Sequence, residues 1–509
     1  MGTLIRNTFF KTEDWIVVWL GFFIIGLVLL GVRPQLPTFK WTSDGEFRAQ
    51  IAESRPALEK LAADARAKGD ANIAGAAGAL QSAVDAGDRA AIQNAAQKLG
   101  EAAKSAADPG LKKKGEGLGK KLSEGAGALA GKVFAAGNLL KSLSLGILYL
   151  VVAVAGIALL GGSVRAFAAG FPVIFALAWF SQVIAGNATL NYWGLEYVIF
   201  ALAIGLVISN VFGVPGWLKE AAKSEYYIKT GLVVMGASIL FSELLQAGAL
   251  GIIQALTVVF VVWYVCFWLA RKLRVDDELA AMLATGVSIC GVSAAIAACG
   301  AIKGDRKKLS YVISLILIVA VPMMVVQPWI ARKFGIPDVV AGAWLGGTLD
   351  TTGSVVAAGA LISETAMKVG TIVKFSQNIL LGVAAFLLSI WWTLKKGGAT
   401  AEKPTLKVIW ERFPKFVLGF VAVSLVFSFV LDPGVVKETK GLLNGLRTFW
   451  FALAFASIGL ETRFTELFGT GTGRAAAAFI GAQAFNVVWT LILAYILFGG
   501  YLFAVPVIR

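Results

Sequence analysis

Residues 346–359 read Gly-Gly-Thr-Leu-Asp-Thr-Thr-Gly-Ser-Val-Val-Ala-Ala-Gly, inside an apolar segment, 339–362, long enough to cross a bilayer. The middle of that segment holds the carboxylate of Asp350 and the hydroxyls of Thr348, Thr351, Thr352 and Ser354. Lipid tails solvate none of these groups, and an ionisable side chain at mid-membrane costs a few kcal/mol or more. Such a stretch survives only facing protein or a water-filled cavity. Each glycine also weakens a helix by about 1 kcal/mol, so the segment is expected to be an interrupted helix lining a cavity. The plainer alternative is a Gly/Thr-rich helix contact with Asp350 quietly hydrogen-bonded.

A second stretch has the same character. Around Gly286, Ser288, Cys290, Gly291 and Ser293, polar and glycine residues interrupt another apolar span that ends near Gly300. Two Gly-interrupted polar segments in separate parts of one hydrophobic chain point to a transporter's binding site near the bilayer midplane. The two are expected to meet there.

Composition supports that class. The chain has 509 residues, 58% hydrophobic and only 15% charged, against about 25% charged in soluble domains. The expected fold is an all-α polytopic membrane protein of about thirteen transmembrane helices. The net charge of +15 implies no nucleic acid, because the basic residues lie mostly in short loops between apolar spans. With no histidine and three cysteines, all in apolar spans, neither a disulfide framework nor a zinc site is indicated. No metal or cofactor is expected.

Three regions follow in order. Residues 1–33 carry a first hydrophobic segment, 15–32, with Arg33 and Pro34 after it rather than a cleavage site, and read as a retained transmembrane helix. Residues 34–141 are Ala-, Gly-, Lys- and Asp-rich. Helical spacing in 54–68, 71–86 and 89–107 is broken at Gly69-Asp70, Gly87-Asp88 and Asp108-Pro109-Gly110. This insert is expected to be a small helical bundle outside the bilayer, looser over its Gly-rich part, 112–131. Residues 142–509 form the membrane domain, with spans near 143–162, 166–186, 193–213, 227–245, 249–270, 279–301, 309–331, 339–362, 369–394, 413–431, 446–460 and 474–499. The 446–460 span is short, as half-broken helices are.

With those spans, basic loop residues favour the N-terminal side, including Arg271, Lys272, Arg274, Lys395, Lys407 and Arg412. The N-terminus is therefore expected in the cytoplasm and the insert in the periplasm. Weak internal symmetry links 234–244 to 454–467, on spans of opposite direction, as an inverted repeat needs.

These residues resemble the YeiH-type family of bacterial inner-membrane proteins, often labelled sulfate exporters. The resemblance runs over about 166–499. It is carried by Ala203-Ile-Gly-Leu-Val-Ile-Ser-Asn210, by Lys229-Thr-Gly-Leu-Val-Val-Met-Gly-Ala-Ser, by Cys290-Gly-Val-Ser-Ala, by Val355-Val-Ala-Ala-Gly and by Val373-Lys374. It implies an inverted-repeat transporter bundle with broken helices. Where the family has His followed by an acid, this chain has Asp350-Thr351. Ser354 replaces its Gln, and Gln377 and Asn378 stand where an Arg is expected. The helix framework carries over more firmly than the substrate or the coupling ion.

The leading expectation is a secondary transporter for a small inorganic or organic anion, sulfate-like, coupled to protons or sodium through Asp350. No phosphate-binding loop is present to drive it with ATP. The expected substrate-binding residues are Asn210, Ser288, Cys290, Gly291, Ser293, Thr348, Asp350, Thr351, Thr352 and Ser354. Asn210 reads equally as a helix cap. Lys374 reads as a snorkelling or ion-paired residue, and Glu461 as a site residue or a loop-end charge. Ser293 and Ser354 lack a base within a motif, so an enzyme is not expected. Membrane lipid and further copies of the chain are the other partners considered. The alternative function is a non-transporting membrane anchor presenting the insert as a docking or sensory module.

Overall fold

A computed structural model describes residues 12–193, 195–396, 406–463 and 473–508. The regular secondary structure of those residues is helical, with two isolated β-bridges beside it. They form two compact units, one of residues 1–34, 146–181 and 198–509, the other of residues 35–145 and 182–197.

The second unit contains the insert and is a bundle of α1 (Asp44–Ala67), α2 (Ala71–Ala86), α3 (Arg89–Lys104) and α4 (Pro109–Gly127). Each helix starts where the sequence places a cap. Asp70, Asp88 and Asp108 accept backbone N–H groups of the first turns of α2, α3 and α4. Ser43 and Glu46 cap α1 reciprocally. Phe47, Leu58, Ile73, Leu80, Ile92, Leu99 and Leu122 form its core. The Gly-rich stretch expected to be loose is a regular helix instead. A Cβ on Gly115 would lie 2.7 Å from Ala103 Cβ, and one on Gly119 2.8 Å from the carbonyl oxygen of Ala96. These glycines let α4 lie directly against α3. The unit also takes in 182–197: Trp41 donates to Val183 O at 2.7 Å, and Asn187 donates to Glu46 at 3.0 Å.

The other unit is the membrane domain. Seven helices among the described residues are long and apolar enough to cross a membrane, and three shorter apolar helices accompany them. Large apolar side chains such as Phe212, Phe260 and Phe429 are exposed, as a lipid-facing surface requires. Lys272 and Lys333 lie over the rings of Trp268 and Trp329 at 4.9 and 4.6 Å, the arrangement of interfacial anchors. The expected short span at 446–460 is the second half of a 29-residue helix, Pro433–Glu461.

Two groups of helices pack within this unit. One comprises α5 (Glu13–Leu29), α6 (Tyr197–Val207), α7 (Ser224–Met235), α8 (Lys415–Leu425) and α9 (Pro433–Glu461). Glycines bring it together: a Cβ on Gly459 would lie 2.5 Å from Leu202 O. The other comprises α10 (Phe241–Lys272), α11 (Asp277–Ser288), α12 (Val292–Ile302), α13 (Arg306–Lys333), α14 (Asp338–Thr348), α15 (Thr352–Ala360), α16 (Glu364–Ile379), α17 (Leu381–Lys396) and the Gly473–Phe498 helix.

Two of the thirteen expected spans, 279–301 and 339–362, turn back on themselves. At the mouth of the α11–α12 hairpin, Lys308 reaches Asp276 at 2.8 Å and Glu278 at 3.1 Å, and Glu278 also accepts the Asp305 N–H. The start of α11 and the end of α12 therefore share one end of the bundle. In the α14–α15 hairpin, a Cβ on Gly342 would lie 2.5 Å from Ala366 O and one on Gly359 2.5 Å from Met367 Cα. Both of its ends thus rest on the first turns of α16.

The Glu46 contacts give a pH signature to the insert. Burial pushes the Glu46 carboxyl up, but hydrogen bonds from Thr189, Ser43 and Asn187 outweigh it and hold the carboxyl at about 2, below the ordinary 4.5. A carboxyl lowered by folding stabilises above its ordinary value and loses that contribution as pH falls towards the folded value. Hydrogen exchange of the full chain should therefore show the first turn of α1 losing protection from about pH 4.5 down to about pH 2. Glu46→Gln should already lose about 1 kcal/mol of local protection at neutral pH; unchanged protection would contradict the capping role.

Candidate functional site

The two hairpins enter the bundle from opposite ends and touch at their tips. Helix α11 stops at Ser288 and α12 begins at Val292, so the first tip is 289–291; α14 stops at Thr348 and α15 begins at Thr352, so the second is 349–351. Gly291 has φ +59°, a conformation that costs a side-chain-bearing residue about 1–2 kcal/mol. A Cβ there would lie 3.0 Å from both Asp350 Cβ and Asp350 O, and 2.9 Å from Ile316. The sequence Cys-Gly-x-Ser-Ala is thus explained by a close approach of one hairpin to the other.

Each tip leaves helix-end carbonyls that need partners. Buried side chains of three neighbouring helices provide them. Lys374 of α16 donates to Ile289 O and to Gln377 Oε1, the latter at 2.8 Å. Gln377 donates to Ser288 O and Gly347 O, both at 3.2 Å, and so bridges the two tips. From the Gly473–Phe498 helix, Gln483 donates to Thr348 O at 2.7 Å. Asn486 points its amide at Val287 O and Gly347 O, each at 3.5 Å. Gln254 of α10 donates to Ala343 O at 2.7 Å.

Two cavities lie between the hairpin tips and the first helix group. The larger, about 260 Å³, is lined by Cys290, Val292, Ser293, Thr351, Thr352 and Asn378 from the hairpin group, and faces Asp14, Glu225, Lys229 and Arg412. The smaller, about 140 Å³, is bounded by Ser354, Met324 and Ile458, and faces Glu225 and Glu461. Glu225, Val292, Ser293 and Thr351 line both. The first turns of α12 and α15 therefore face the same space. Gly291 offers no side-chain cap to α12, whereas Thr351 accepts the Ser354 N–H at 3.1 Å.

Of the expected site residues, Cys290, Ser293, Thr351, Thr352 and Ser354 line the cavities. Gly291 forms the contact between tips. Ser288 and Thr348 lie behind the tips with hydroxyls turned to their own helices, Ser288 towards Thr285 O at 3.5 Å and Thr348 onto Trp344 O at 2.8 Å. Asp350 is 1% exposed and lines neither cavity; neither carboxylate oxygen has a hydrogen-bond partner among the described residues. Lys374 is its electrostatic neighbour. Asn210 lies elsewhere, at the end of α6, where it donates to Leu206 O and Thr462 O at 3.0 Å.

Sequence reading missed the cavity's charged wall. Lys229 is held by Glu13 at 2.9 Å, Asp14 at 3.1 Å and Glu225 at 3.6 Å. The signal was present as Glu225 and Lys229 four residues apart at the start of an apolar helix. It also missed the amides that satisfy the tips, although Gln483 and Asn486, three residues apart in an apolar span, mark one helix face. Glu461, left open in the sequence, lines the smaller cavity and accepts the Ser224 N–H at 3.1 Å.

The contact between tips is directly testable. Gly291→Ala should lower the thermal stability of the purified protein by at least the about 1–2 kcal/mol of its positive φ, because its methyl group also meets Asp350. Gly26→Ala, where a Cβ meets nothing within 4 Å, should not. Equal stability of the two variants would contradict the packing of the tips.

Comparison with known proteins fits this architecture. The family described as conserved hypothetical protein 698 matches residues 169–477. A UPF0324 membrane protein of Rhodopirellula baltica is 41% identical over 348 residues, 66% of this chain and 64% of that one. One of Nitratidesulfovibrio vulgaris is 37% identical over 356 residues, 67% of this chain and 61% of that one. The chain thus spans somewhat less than two thirds of the length of these relatives. A third, from Bacillus anthracis, is 25% identical over 323 residues, 63% of this chain and 92% of its own. No solved structure matches. The match covers both hairpins and the cavity-lining residues other than Asp14, and by it the chain belongs to the family described as conserved hypothetical protein 698, the YeiH-type family of membrane proteins.

Proposed function

We propose that the protein is a secondary transporter that moves a small anion, sulfate-like in size, across a bacterial inner membrane. The observation that carries this reading is the meeting of two oppositely inserted hairpins at a polar cavity. A membrane anchor needs no such break, whereas a carrier needs a site that can open to either side. The first turns of α12 and α15 supply N–H groups and positive dipole ends, which suit an anion. The two helix groups on either side of the cavity are the parts that would move against each other.

The hairpin geometry supports a cytoplasmic N-terminus and a periplasmic insert. Because α11–α12 turns back, Lys303, Arg306, Lys307 and Lys308 join the N-terminal side, and Arg332 and Lys333 leave it. The basic excess on that side grows, as the positive-inside rule asks.

Coupling is assigned to Asp350. A buried carboxylate without hydrogen-bond partners is costly and is relieved by a proton or a small cation. Conformational opening at the tips would admit that ion. In proteoliposomes, sulfate uptake by the wild type should depend on a pH or sodium gradient. Asp350→Asn should insert and fold but lose that dependence. Ser293→Ala should weaken substrate affinity by about 3–10-fold, while Ser288→Ala, whose hydroxyl faces its own helix, should not. Unchanged ion dependence in Asp350→Asn would remove the residue from the mechanism.

A further inference from the structure

The N-terminal helix α5 lies outside residues 169–477, which match the family, yet its first turn forms part of the larger cavity's wall. Glu13 and Asp14 hold Lys229 of α7 at 2.9 and 3.1 Å, and Glu225 stands 3.6 Å from the same ammonium. Asp14 also accepts the Lys415 N–H at the start of α8 at 3.0 Å. Asp14 lines the cavity itself, with 24% of its side chain exposed, so its charge acts on whatever enters. Packing fixes the helix in that place. A Cβ on Gly21 would run into Val233 of α7, and one on Gly419 of α8 would lie 2.8 Å from Val18.

The charges on and directly behind this wall are balanced. Glu411 and Arg412 line the cavity from the short helix Lys407–Arg412, with Lys407 on Glu411 at 3.1 Å. Lys415 turns its ammonium onto the carbonyls of Trp410 and Phe413, the latter at 2.7 Å. Among the described residues, the carboxylates of Glu13, Asp14, Glu225 and Glu411 thus stand one for one against Lys229, Arg412, Lys407 and Lys415. Glu13 and Asp14 belong to α5. Without them the same wall would carry two more cations than carboxylates, and Lys229 would be answered by Glu225 alone. A carrier must release its cargo as well as take it up, and a strongly cationic wall would hold a dianion too tightly for that.

We infer that α5 sets the cavity's selectivity for ligand charge: Glu13 and Asp14 clamp Lys229 and keep the wall near neutrality, which disfavours a dianion more than a monoanion. The inference rests on the transport reading above. The interaction of a wall charge with a ligand scales with the ligand's own charge, so each α5 carboxylate weakens a dianion about twice as much, in free energy, as it weakens a monoanion. Neither residue needs to touch the ligand. Both act through Lys229, and Asp14 acts also through its own field in the cavity.

The test is equilibrium binding of sulfate and nitrate to the purified full chain. Asp14→Asn removes the charge but keeps an oxygen for the Lys415 N–H. It should raise sulfate affinity about tenfold and nitrate affinity about threefold, so that the sulfate-to-nitrate ratio rises about threefold. Glu13→Gln, at a position that touches Lys229 without lining the cavity, should move the ratio the same way by less. Glu438, an exposed carboxylate paired with Arg33 at 2.8 Å, lines neither cavity. Glu438→Gln is therefore the control for net charge and should leave the ratio unchanged. If the ratio in Asp14→Asn and Glu13→Gln equals that of the wild type, or if Glu438→Gln raises it as much, the inference is overturned and the transport reading stands. If neither anion binds to any of these proteins, both are overturned.

Discussion

Helices that stop deep inside an apolar bundle leave carbonyls with no partner in their own helix, and lipid offers none. Each unsatisfied group costs several kcal/mol. In this protein Lys374, Gln377, Gln483 and Asn486 meet that requirement from two helices that flank both tips. Gln377 is the common element, since its amide reaches Ser288 O and Gly347 O together. The hairpins, the contact at Gly291 and the cavities in front of them all depend on these bonds. The amino ends of α12 and α15, by contrast, face the cavities, so backbone carbonyls behind the tips have side-chain donors while the first turns in front line open space.

The break points were legible in the sequence because glycine, hydroxyl and carboxyl groups have few uses in the middle of an apolar span. Cys290-Gly291 and Asp350-Thr351 are where the helices stop. The return of each hairpin was not legible. An apolar stretch of 24 residues fits one crossing as well as two half-crossings, and the deciding contacts, Lys308 with Asp276 and Glu278, join residues some thirty positions apart. The Gly-rich part of the insert misled for a related reason. Glycine weakens an isolated helix, but at Gly115 and Gly119 it permits a close approach that compensates. The acidic residues around Lys229 escaped because Glu13 and Asp14 come from a helix more than two hundred residues away.

The division of labour in the membrane unit follows from the same contacts. Residues that hold the tips lie in the hairpin group, and residues that give the cavity its charge, Asp14, Glu225, Lys229 and Glu461, lie mostly in the other. A relative movement of the two groups would change the charges that face the cavity without disturbing the bonds that keep the tips together. Asp350, within the second tip but outside both cavities, would feel such a movement through Lys374 and the hairpin contact rather than through the cavity itself.

The most direct test of this account is to locate a bound anion. Selenate soaked into crystals of the full chain gives an anomalous signal where an anion binds. The account predicts that signal between the first turns of α12 and α15, within hydrogen-bond reach of Ser293 and Thr352. An anion found only outside the two cavities, with the tips in contact as described, would contradict it.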